Sequence, residues 1–162
     1  MIDPLAVQEF LALDRIAVVG ASADPKRFGN TIYRELRGHG HEVVAVNPKA
    51  ATVEGDPCYP TLDAIPEPVD GVIVMVPPQP ALVVLRSCAD LGITRVWLFK
   101  GLGAPGAVSD EVLALCDDLG LEVIAGACPM MFLEPVGGFH SFHRALRHLN
   151  HSVAKVPRRA AS

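Results

Sequence analysis

Five short apolar runs constrain this chain more than anything else in it: Ile16–Val19, Val43–Val46, Val72–Val76, Val96–Phe99 and Val123–Ala125. Each is continuous, rich in branched side chains and too short for a helix, the pattern of strands buried on both faces of a parallel sheet. The stretches "RELRGHG", "CADLG" and "CDDLG" each deliver a glycine, Gly40, Gly92 or Gly120, just before the next run. Glycine there suits the left-handed residue that ends a helix, so the unit helix, glycine, strand occurs three times. Ser109 with Asp110 and Glu111 suits one helix start, and Pro80 a first-turn position of another. The predicted fold is α/β: a Rossmann-like, doubly wound, five-stranded, mostly parallel sheet with helices on both faces. The Pro-rich segment 51–71 is expected to loop across the sheet edge, with a short helical turn at 61–65.

With 162 residues, half of them hydrophobic, the chain can bury one sizeable core. Residues 1–152 are expected to form a single domain and 153–162 a flexible basic tail. The N-terminal stretch carries acids where a signal peptide carries cations, and the apolar runs are strand-sized, so the expectation is a soluble cytoplasmic protein away from membranes. Cys58, Cys88, Cys116 and Cys128 form no C-x-x-C pair and are expected to be reduced, buried thiols. All 18 acids lie at or before Glu134, and Arg144, Arg147, Lys155, Arg158 and Arg159 follow. Five cations without an aromatic reading surface make a weak nucleic-acid footprint, and a solvated tail is the better reading.

In such folds ligands lie beyond the C-terminal ends of the strands, which makes the residues after each strand informative. The first is followed by "GASADPKRFGN". Gly20 permits a tight turn and Ser22 offers a hydroxyl. Gly29 and Asn30 open a helix whose amides can hold a phosphate, while Lys26 and Arg27 widen the loop and add charge. A dinucleotide loop presses a pyrophosphate on bare backbone; this one favours a ligand with more phosphate charge. After the second strand, Asn47, Pro48 and Lys49 supply no acid for ribose hydroxyls, which counts against NAD. A lysine there would meet a phosphorylated ribose, as in NADP or coenzyme A. After the third, Pro77 and Pro78 remove amide donors, either to pack against an adenine or alkyl arm or simply to stiffen a helix entry.

"VVGASADPKRFGN", "VAVNPKA", "VEGDPCYPTLDAIPEPVDGVIVMVPP" and "VWLFKG" together resemble the CoA-binding domain family, small stand-alone relatives of the N-terminal domain of the succinyl-CoA synthetase alpha subunit. The likeness covers roughly residues 10–134. It implies that the phosphates of CoA rest on the loop formed by Gly20, Ala21, Ser22, Lys26, Arg27, Phe28 and Gly29. It also implies that Lys49 approaches the phosphorylated ribose beside Asn47 and Pro48. Val76, Pro77, Phe99, Lys100 and Gly101 would line the remainder. "GACPMMFLEP" is similar to the Asn-Cys-Pro-Gly segment of the synthetases, but Ala127 and Met130 replace its Asn and Gly. Cys128 could there exchange disulfides with a pantetheine thiol, or simply be packed.

The synthetases work through a phosphorylated histidine in a further domain and a separate nucleotide-binding subunit, and this sequence stops before either. The resemblance thus implies binding of CoA or acyl-CoA with no catalytic residue. The alternatives are an NADP-dependent reductase, an acyl-CoA ligase component needing a partner, or an interaction protein acting through its basic tail. His140, His143, His148 and His151 lack acids to orient them as metal ligands, and no metal site is expected. Phe139, Phe142, Ala145, Leu146 and Leu149 would give that segment an apolar helical face for the sheet or a homodimer.

Overall fold

A computed structural model of the chain describes residues 2–101 and 106–133. Within these, helix α1 (Pro4–Leu11) precedes β1 (Arg15–Val19), α2 (Phe28–Gly38) and β2 (Glu42–Val46). A hairpin of β3 (Thr52–Val53) and β4 (Asp56–Tyr59) follows, then a 3-10 turn at Leu62–Ala64. The chain continues through β5 (Gly71–Val74), α3 (Pro78–Asp90), β6 (Arg95–Phe99), α4 (Asp110–Asp118), β7 (Glu122–Ala127) and a second 3-10 turn at Pro129–Met131. The C-terminal helix expected around 139–151 and the basic tail lie outside the described residues.

One sheet runs in the order β3-β4-β2-β1-β5-β6-β7. Every neighbouring pair is parallel except β3 with β4. Counting only the parallel strands, the order is 3-2-1-4-5-6, the doubly wound Rossmann arrangement, which reverses direction between β1 and β5. The expectation of five strands is therefore corrected to seven. Both additional strands lie in the segment read as a loop, because strands of two and four residues with Pro57 inside one give no periodic signal. The third apolar run also ends sooner than expected, at Val74, and Met75 and Val76 belong to the turn that follows.

Alternation along the strands divides the core into two layers. Ala17, Val19, Val44, Val46, Val72, Val74, Val96 and Leu98 meet Leu82, Leu85 and Cys88 of α3 and Val112 and Cys116 of α4. Ile16, Val18, Ala45, Ile73 and Trp97 face the other way, against Val7 and Phe10 of α1 and Ile32, Tyr33 and Leu36 of α2. A fully buried aliphatic side chain contributes about 1.5–3 kcal/mol, so hydrophobic burial dominates what holds these layers together.

Three helices end alike. In α2, α3 and α4 the amides of Gly40, Gly92 and Gly120 donate to Arg37, Ala89 and Asp117, while those of His41, Ile93 and Leu121 reach back to Leu36, Cys88 and Cys116. This double closure requires a left-handed residue, and the three glycines have φ of 80, 72 and 65°. Helix α1, unforeseen from the apolar pattern, still carries readable start signals: Pro4 in its first turn and Asp3 Oδ1 accepting from the Leu5 amide at 2.9 Å.

Candidate functional site

The candidate residues gather where β1, β2, β5 and β6 all end, and their geometry begins at Gly20. Gly20 follows β1 at φ 112° and donates its amide to Val46 at 3.1 Å. A Cβ on it would lie 3.1 Å from the backbone of Met75, just beyond β5. The first post-strand turn thus touches the third at the point where the strand order reverses. Gly29 closes the loop from its other end. A Cβ there would sit 2.7 Å from the Gly20 carbonyl oxygen, so α2 can start against β1 only without a side chain. Helices α1 and α4 are capped by Asp3 and Ser109; α3, which opens on Pro78, has no side-chain cap, and neither has α2, which starts at Phe28. Its first turn therefore offers amide donors and the positive end of its dipole to the loop.

Between the two glycines the loop is held by its own polar groups. Ser22 Oγ accepts from the Asp24 amide at 3.1 Å, and Asp24 Oδ1 accepts from the Lys26 amide at 3.0 Å. Arg27 lies 3.7 Å from the Asp24 carboxylate. Beneath them Asn30, 1% exposed, accepts from the Ser22 amide at 2.8 Å and donates to the Ser22 carbonyl at 2.7 Å. Across the edge, Asn47 donates to the Ala21 carbonyl at 2.8 Å and accepts from the Lys49 amide at 2.9 Å, linking the turns after β1 and β2. Lys26 and Lys49 are exposed, and among the described residues neither they nor Lys100 enter an ion pair. The rings of Phe28 and Phe99 pack with centroids 5.3 Å apart, joining the turns after β1 and β6, and Phe28 stays 46% exposed.

At the far strand the sheet bends its chain over the same edge. Gly126 at φ 84° makes a bulge, so that Leu98 pairs with Ala125 but Phe99 with Ala127. The Ala127 carbonyl accepts from the buried Trp97 indole at 3.0 Å. The turn that follows, Pro129–Met131, packs on α2. Cys128 is partly exposed, which corrects the expectation of four buried thiols, while Cys58, Cys88 and Cys116 are buried. Burial raises all three of those thiols, Cys88 to about 12 and Cys116 to about 11, which disfavours the reactive thiolate form. Among the described residues no cluster of His, Cys, Asp and Glu could hold a metal ion, and no helix is long and apolar enough to cross a membrane. The four histidines of the C-terminal segment lie outside those residues.

Residues 14–134 match the family described as CoA binding domain. The chain belongs to this family. It is 33% identical over 134 residues to the ADP-forming acetate–CoA ligase I of Archaeoglobus fulgidus, a match covering 80% of this chain and 20% of the ligase. Among solved structures, a conserved hypothetical protein of Pyrococcus furiosus superposes with a TM-score of 0.65 at 35% identity, over 73% of this chain and 97% of that one. The apo form of a dinucleotide-forming acetyl-coenzyme A synthetase 1 from Ca. Korarchaeum cryptofilum gives 0.61 at 29% identity, over 73% of this chain and 27% of that one. The chain thus spans about a fifth of the length of the curated ligase it matches.

On this CoA-binding domain, Gly20, Ala21, Ser22, Lys26, Arg27, Phe28 and Gly29 share one loop, and Asn47, Pro48 and Lys49 are joined to it through the Asn47–Ala21 bond. Val76 and Pro77 follow Met75, which touches Gly20, while Phe99 reaches Phe28. Lys100 and Gly101 continue from β6, and a Cβ on Gly101 would lie 3.0 Å from Cζ of the Phe99 ring. Sequence reasoning missed Asp24 and the buried role of Asn30. The spacing of Asn30, eight residues after Ser22 and directly after Gly29, was visible, but nothing local says that its amide turns inward.

Proposed function

We propose that this domain binds coenzyme A or an acyl-CoA along the C-terminal edge of its sheet and has no catalytic residue of its own. The diphosphate would rest on the loop from Gly20 to Gly29, against the uncapped first turn of α2, with Lys26 and Arg27 adding charge. Lys49 would meet the 3′-phosphate. Val76, Pro77, the Phe28–Phe99 pair, Lys100 and Gly101 would border the adenine or the pantetheine arm. One observation carries the reading: in a member of the CoA-binding family, exposed lysines without ion-pair partners among the described residues stand after β2 and within the β1 loop, where a phosphate-rich ligand has most to gain. The bare approach of Gly29 to Gly20 supports it, because the cradle exists only while no Cβ fills it. Four free cysteines support a reducing, cytoplasmic setting.

A second reading is favoured by the likeness to the acetate–CoA ligase: the domain supplies the CoA site of a larger acyl-CoA ligase whose other parts are separate chains. It predicts co-purification with an ATP-binding ligase subunit, and the first reading does not need it. Calorimetric titration of ligand-stripped protein with CoA, dephospho-CoA, NAD and NADP at one salt concentration tests the main proposal. CoA is expected to bind tightest, with a clear loss on removing the 3′-phosphate. Preference for NADP would transfer the case to a reductase, and no heat with any of the four would end the CoA reading.

A further inference from the structure

We infer that Glu54, at the tip of the β3–β4 hairpin, is a positioning residue that holds the β1 loop in its binding geometry; the ligand it serves rests on the CoA reading above. Glu54 and Gly55 are the two central residues of the hairpin turn, between the paired residues Val53 and Asp56. Their φ values are 52 and 82°, as in the tight turns that match the twist of paired strands. Among the described residues Glu54 is the one non-glycine with positive φ. That conformation is costly for a side chain, and glycine would meet the turn better. A strained residue that an easier one could replace calls for a role for its side chain.

The side chain supplies one. It is 12% exposed, and its Oε1 accepts from Asn30 Nδ2 at 2.9 Å and from Arg34 Nη1 at 2.7 Å. Each of these donors also grips the β1 loop: Asn30 both carbonyl and amide of Ser22, Arg34 the carbonyl of Pro25 at 3.1 Å. One carboxylate oxygen therefore fixes two side chains that pin the loop at two points. It also sets the orientation of the Asn30 amide, since the reverse would face its oxygen toward both the Glu54 carboxylate and the Ser22 carbonyl. The hairpin does not depend on this contact for attachment. Asp56 accepts from the Tyr33 hydroxyl at 2.7 Å and from Arg37 at 2.8 Å, and Arg37 also reaches the Glu54 carbonyl.

Glu54→Gly separates positioning from stability, because glycine relieves the turn while deleting the carboxylate. Three quantities are read: melting temperature, affinity for CoA and dephospho-CoA, and exchange of the Ser22 amide hydrogen. The expected result for Glu54→Gly is an unchanged or higher melting temperature, about tenfold weaker binding of both ligands with their ratio preserved, and faster Ser22 exchange. Glu54→Gln keeps an acceptor oxygen for Asn30 and Arg34 and is expected to restore both binding and protection. Wild-type affinity and protection in Glu54→Gly would overturn the inference, as would failure of Glu54→Gln to recover either. If wild-type protein bound neither ligand, the CoA reading would fall, and the Ser22 exchange would still decide whether Glu54 holds the loop.

Discussion

Asn47 and Lys49 stand two residues apart and divide the work of one turn. Asn47 is consumed by the protein: its amide joins the Ala21 carbonyl to the Lys49 backbone and keeps the turns after β1 and β2 in register. Lys49 is left without an ion-pair partner among the described residues and is free to meet a phosphate. Lys49→Ala is therefore expected to weaken CoA by about 1–3 kcal/mol and dephospho-CoA by much less. Titration of both ligands checks this, and an equal loss for both would remove Lys49 from the 3′-phosphate. Gly20 was legible as a turn glycine from its place after an apolar run, and Gly29 as the opening of a helix. That they are needed for each other was not, because the position in which a Cβ on Gly29 would fall 2.7 Å from the Gly20 carbonyl oxygen, nine residues earlier, exists only once strand and helix are docked.

At the scale of elements, α3 and α4 face one another across a layer that contains Cys88 and Cys116. The Cys88 thiol is raised to about 12 by burial first and by the neighbouring Cys116 second; that of Cys116 is raised to about 11 by burial and Asp117. A raised thiol favours the fold while it stays neutral, so its contribution is complete below pH 9, the ordinary value. Above that the unfolded chain ionises first and stability falls, by at most about 1.4 kcal/mol per pH unit for each thiol. Melting temperatures between pH 8 and 10.5 should decline more steeply for the wild type than for the Cys88→Ala, Cys116→Ala double variant. Equal slopes would show that these thiols do not titrate with unfolding. Elements bounded by strong signals, such as the capped start of α4 at Ser109, were readable in advance. The β3–β4 hairpin was not, since its short strands are specified by pairing with β2 and by Tyr33 and Arg37 of α2.

For the whole molecule, binding across the ends of β1, β2, β5 and β6 would tie together turns that are separate in the chain. A ligand that binds only the folded state stabilises it by about 2.7 kcal/mol at a hundredfold excess over Kd, or about 5–10 °C in melting temperature for a domain of this size. CoA is expected to give such a shift, and an unchanged melting temperature at saturating CoA would contradict the proposed site. The sequence alone determined the layered α/β architecture, because runs buried on both faces and glycine-closed helices have few other ways to bury their surface. It also marked the post-strand loops as the place to look, since a parallel sheet exposes only the ends of its strands. What the tertiary structure decided was how those loops hold one another: the inward turn of Asn30, the Phe28–Phe99 contact and the reach of Glu54 from the sheet edge to the β1 loop. Residues 8, 24 and 71 positions apart meet in these contacts. No local pattern encodes such meetings, because hydrogen-bond partners are chosen only after the hydrophobic layers have set the distances.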